Sequence, residues 1–118
     1  MNNSPAFTPV RGWHFLRADK RLGYNDDRVV EAGQTLTVDV PAVLCGAGLH
    51  WAERLIAAIS CAPGEVLCRV ESVEGHAVHK GTDKSVSTAR RCVAMIDAEE
   101  MLFELSRKWA ARVFWQHF

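Results

Sequence analysis

The chain has 118 residues, 48% of them hydrophobic and 24% charged, with 14 Lys plus Arg balancing 14 Asp plus Glu. That length fits one domain, able to bury roughly two-thirds of the surface its unfolded chain exposes, and the composition excludes wholesale disorder. Zero net charge excludes the broad basic footprint of non-specific nucleic-acid binding while leaving room for a local patch, and no apolar run approaches the ~18 residues of a membrane span. Residues 1–11 also lack the apolar centre of a secretory signal, so the expectation is a soluble, cytoplasmic protein with no membrane partner.

Residues 1–9, with two prolines among Asn, Ser and Thr, read as a flexible N-terminus before a single α+β domain over 10–118. VRGWHFLR (10–17) has the density of a strand, with Trp13 and Phe15 on one face and His14 and Leu16 on the other. DKRLGYNDDR (19–28) reads as a polar loop, TLTV after Gly33 as a short strand ended by Pro41, and 43–45 as another. Gly46 and Gly48 suit a tight turn. Residues 51–60 then predict a helix of about three turns, since Leu55, Ile56 and Ile59 recur at helical spacing, and Pro63-Gly64 stops it.

VLCRVESV (66–73) alternates, which puts Val66, Cys68 and Val70 on a core face opposite Leu67, Arg69 and Glu71. Gly75 turns the chain, 76–79 is a short strand, GTD a turn, and 84–96 holds one or two more strands. Asp97 is an N-cap with Glu100 three residues on, and Glu99 adds charge of the favourable sign. No Gly or Pro interrupts the following residues to 115, where Leu102, Leu105, Trp109 and Val113 trace one stripe and Phe103, Ala110 and Phe114 a second. The aromatic ending VFWQHF is either packed home or left as a surface for a partner. The fold class is α+β: a twisted, mainly antiparallel sheet of about five to seven short strands, one short central helix and one long C-terminal helix across a sheet face.

Cysteines stand at 45, 61, 68 and 92 without a CxxC pair, a pattern that predicts reduced, buried thiols. For a metal, the closest ligand spacings are Cys45 with His50 and His76 with His79; a strand would send the latter pair to opposite faces, and no metal is expected. GxSxG, P-loop and HExxH patterns are absent, and Gly46-Ala47-Gly48 lacks the third glycine and the βαβ context of dinucleotide binding. A cysteine nucleophile needs an electropositive, partly open setting and a histidine. The Cys45–His50 spacing across a glycine turn does not establish such a contact. No catalytic residue and no cofactor are assigned.

The succession Gly48-Leu49-His50, a short helix, Ala62-Pro63-Gly64, Leu67-Cys68-Arg69-Val70-Glu71, then Asp83-Lys84-Ser85-Val86-Ser87 and Arg90-Arg91 resembles a family of small uncharacterised domains encoded by phages, prophages and plasmids. The likeness spans residues 30–115 and implies a mobile-element context rather than an activity. A fainter one is to ADP-ribosyltransferase-like folds, in which a glycine–leucine–aromatic turn precedes a helix and a strand; Gly48 to Trp51 and Val66 to Glu71 are similar to that section. The departures are a first-strand motif represented only by Gly12-Trp13-His14 and the lack of a glutamate in a late strand.

Two readings of function follow. In the first, the chain is a non-enzymatic binding module that occludes a host protein or protein complex, in the manner of anti-CRISPR inhibitors of bacterial defence, with nucleic acid left open as part of that complex. Its candidate contacts are Tyr24, Asp26, Asp27 and Arg28 in the polar loop, where Tyr and Arg are favoured interface residues, and the basic group Lys84, Arg90 and Arg91. In the second, a small NAD-handling enzyme, His14, His50 and Glu71 must converge on one cleft.

Overall fold

The first strand, β1 (Arg11–Leu16), forms where apolar residues alternate. The computed structural model of the chain describes residues 6–23, 26–44, 47–60 and 62–117. After β1 come β2 (Arg21–Gly23), β3 (Asp26–Val29), β4 (Thr35–Thr37), β5 (Leu49–Trp51), α1 (Leu55–Ser60), β6 (Val66–Ser72), β7 (Val78–Lys80), β8 (Ser85–Ser87), β9 (Ala89–Asp97) and α2 (Glu99–His117). Among the described residues every strand pairing is antiparallel. Four strands make one sheet in the order β1-β6-β9-β4, three make another in the order β5-β8-β7, and β2 and β3 form a hairpin.

Opposed residues of paired strands share a face. The registers therefore place His14, Leu16, Cys68, Val70, Arg90 and Cys92 on one face of the larger sheet, and Trp13, Phe15, Leu67, Arg69, Glu71 and Arg91 on the other. The first face meets Leu49 and Trp51 of β5, with Val30, Leu36, Val66 and Val78, in the main core. On the second face Phe15 and Leu67 pack with Ala52, Ala58 and Ala98 beneath α1 and the start of α2. The two sheets meet where Trp13 and Ala52 exchange backbone hydrogen bonds of 2.7 and 2.9 Å. Gly12 is required at this junction, because a Cβ there would enter the Trp51 ring and the Ala52 carbonyl.

The α+β, mainly antiparallel class holds, but in place of one sheet of about five to seven strands the described residues form nine strands in three sheets, and four further details are corrected. The polar stretch 19–28 is a hairpin, closed by an Arg21–Val29 pairing and by Arg21 donating to the Asp27 carbonyl at 2.6 Å. The helix expected over 51–60 begins only at Leu55: Leu49 and Trp51 are buried on alternate residues and pair with β8, so the strand period wins there. Val43 and Leu44 are in no strand, and Cys45, like Gly46, Cys61, Tyr24 and residues 1–5 of the expected flexible N-terminus, lies outside the described residues.

The fourth correction concerns the long C-terminal helix predicted to lie across a sheet face. Asp97 caps it, its Oδ1 accepting from the Glu99 N–H at 3.0 Å, and Ala98, Met101 and Leu102 pack against the body. Beyond that first turn the described side chains leave the protein, with Phe103 67% and Trp109 66% exposed. Leu105, Ala110, Val113 and Phe114 of the two stripes, and with them the aromatic ending 113–118, lie outside the described side chains. Among the described residues, no helix is long and apolar enough to cross a membrane.

Candidate functional site

A polar seam runs through the main core between the two sheets. Its centre is Arg90 on β9, 3% exposed, opposite Ser72 of β6 and Leu36 of β4. Its Nη1 donates to the His50 carbonyl at 2.6 Å, tying the larger sheet to β5. A buried guanidinium is expensive unless other groups take up its donors and its charge. Burial pulls Arg90 down to about 10, while the neighbouring Cys68 and Cys92 thiols act the opposite way; the group stays charged at neutral pH.

The two thiols are 1% and 2% exposed and both are free. They contact each other because β6 and β9 bring them to one face on adjacent strands, Cys92 opposite Val70 and Cys68 two residues further along. Their ionisation is split. The hydrogen bond from Cys68 holds Cys92 down to about 7, with burial opposing and Arg90 assisting. That same hydrogen bond, together with burial, pushes Cys68 well above the ordinary thiol range. One negative charge shared by the pair is therefore favoured beside Arg90.

Two histidines border the seam. Burial, and then the charges of Arg90 and His50, hold His14 well below its usual value. Burial also lowers His50, with Lys84 and Arg90 adding to it and hydrogen bonds with the Gly48 and Val43 backbone opposing. Both are neutral imidazoles at pH 7. Next to them the Trp51 Nε1 is buried without an acceptor among the described residues.

The residues singled out in the sequence divide between places. His14 and His50 come together, but Glu71 lies on the opposite face of β6, where it pairs with Arg11 at 3.3 Å and Arg91 at 3.7 Å. The three do not converge on one cleft. Of the basic group, Lys84 and Arg91 are exposed and Arg90 is buried, so no three-charge patch faces the solvent there. In the hairpin, Arg28 is held by Asp26 at 2.8 Å and donates to the Thr37 carbonyl at 2.9 Å. The Arg28 hydrogen bonds hold the Asp26 carboxyl below its usual range. Asp27 is exposed, and Tyr24 lies outside the described residues.

Sequence reasoning missed the seam. Its signal was the alternation of Arg90 and Cys92 either side of the exposed Arg91, a pattern that read as a basic edge. Elsewhere, Glu65, Asp97 and Glu99, all exposed, gather carboxylate oxygens within 4.8 Å of one another where two open clefts meet. Comparison with family models, with curated proteins and with solved structures finds no match to this chain.

Proposed function

We propose that the chain is a protein-binding module that acts by occupying the surface of a host protein or complex, as an inhibitor of a bacterial defence complex encoded on a mobile element would. The observation that carries this reading is the exposure of Phe103 and Trp109, at 67% and 66%, on a helix whose first turn packs against the body. Isolated surface apolar residues are ordinary; two large exposed aromatic ones on one helix are the composition of an interface anchor. Covering two-thirds of about 200 Å² on each ring would contribute about 3 kcal/mol per residue to association. Ile56 and Ile96, 65% and 54% exposed, add apolar surface on α1 and β9. The hairpin is the weaker anchor, since Arg28 already spends its donors on Asp26 and Thr37.

Occlusion of this kind needs no bond-making chemistry, and the separation of Glu71 from His14 and His50 leaves the NAD-handling alternative without its carboxylate. The test is capture of partners by tagged protein from a lysate of bacteria carrying defence systems, with and without nuclease. One stoichiometric protein should survive nuclease, be lost with Phe103→Ser/Trp109→Ser, and be kept with Arg28→Ala. Loss with Arg28→Ala and retention with the aromatic double variant would move the interface to the hairpin. No captured protein, together with a melting temperature raised by NAD, would overturn the reading.

A further inference from the structure

We propose that Cys68 and Cys92 form a reversible redox site, in which a small hydroperoxide oxidises Cys92 and Cys68 then closes an intramolecular disulfide with it. The two thiols are in contact on neighbouring strands within one core, so the second sulfur is in place before the first reacts. Arg90, two residues from Cys92 on the same face and 3% exposed, supplies a fixed positive charge beside it. That charge and the Cys68 hydrogen bond favour the thiolate, the form that attacks peroxide. Cys68, pushed the other way, stays a thiol and fits the resolving role.

The chemistry balances without a further reactant. The Cys92 thiolate attacks the hydroperoxide, its sulfur losing two electrons to the O–O bond; a sulfenic acid forms, and the other oxygen leaves as an alcohol, or as water, after taking a proton. The Cys68 sulfur then displaces the sulfenic oxygen as a second water, its own proton leaving with that oxygen.

Access and reversibility follow from the strand geometry. Between Cys92 and Ala94 the pairing of β9 with β6 skips Val93, which bulges out at 45% exposure. Such a bulge interrupts the ladder next to Cys92 and is where a small neutral oxidant can enter through local opening. The pair is diagonal rather than directly opposed, a separation of about 7–8 Å between Cα atoms, beyond the usual span of a disulfide, so closure draws the two strands together at the Val93 bulge. A bond made there is strained and readily reduced, which suits a reversible site over a permanent staple.

The test uses the full chain with Cys45→Ser and Cys61→Ser, so that only this pair reports. After hydrogen peroxide, unfolding in the presence of an alkylating reagent should leave both thiols unlabelled and the intact mass about 2 Da lower, and dithiothreitol should restore both. With Cys68→Ser added, dimedone should label Cys92. The oxidation rate of the parent should level off above about pH 7, a profile that a merely structural thiol would not give. Full alkylation of both thiols after peroxide, or a rate still climbing through about pH 8.5 as for an ordinary thiol, would overturn the proposal.

Discussion

Acidification from pH 7 to pH 5 should destabilise the fold through His14. In the folded chain, burial strips water from the imidazole, and Arg90 and His50 add repulsion to any proton it takes up. The unfolded chain has neither penalty, and its histidine titrates near pH 6.5. Protons thus bind preferentially to the unfolded state. Stability is complete above that unfolded value and is lost as the pH falls below it. A histidine that stays neutral in the folded state across this window withdraws about 2 kcal/mol, from RT ln of the ratio of unfolded-state protonation terms at the two pH values. His50, lowered first by its own burial, acts in the same direction.

The assay is urea unfolding at pH 7, 6 and 5 for the parent and for His14→Gln, compared as the difference of the two pH losses so that exposed carboxylates cancel. The parent should lose more than the variant, by at most about 2 kcal/mol. Equal losses, within about 0.5 kcal/mol, would refute the reasoning: His14 would then be as free to protonate when folded as when unfolded.

Other substitutions separate the forces at work. Gly12→Ala, which drives a Cβ into the Trp51 ring and the Ala52 carbonyl, should lower stability by about 3 kcal/mol or more in thermal melts. Gly33→Ala, with open space around it but a φ of 85°, should lose only about 1 kcal/mol. Arg28→Ala removes an exposed ion pair with Asp26 and should change the urea midpoint by less than about 1 kcal/mol equivalent. Asp97→Ala deletes the acceptor of the Glu99 N–H; about 1 kcal/mol and part of the helical circular dichroism signal should go with it.

Much of the fold was legible because its strands carry their own alternation. β1 and β6 read correctly as to face, since Trp13 and Phe15, and Val66, Cys68 and Val70, are wholly apolar sets on one side. The capping residue of α2 was legible from Asp97 alone. The hairpin of β2 and β3 was not: its residues are mostly polar, Arg21 ties it by reaching the Asp27 carbonyl and Arg28 ties β3 to the Thr37 carbonyl of β4, which no periodicity encodes. Over residues 49–52 a short apolar run fits either period, and only the distant strand β8 decides it. The stripe of α2 suggested a buried helix because pattern records amphipathicity, not whether a surface exists to receive it. The seam escaped for a related reason. An arginine next to another arginine in a basic stretch signals solvent, and its burial depends on a carbonyl forty residues earlier in the chain, that of His50.

The order of the strands in the larger sheet bears on how the protein can be made. β6 lies between β1 and β9, so the first strand to leave the ribosome finds no neighbour in its sheet until residue 66 onward has emerged. Leu16 and Phe15, both buried in the finished fold, lack the cover of β6 meanwhile. Arg90 reaches His50 only later still, once β9 is out. Folding from the N-terminus forward is therefore closed to this chain: its contacts are long in sequence, which slows closure and leaves apolar surface waiting. Nascent chains halted before β9 should be sticky fragments rather than small folded units.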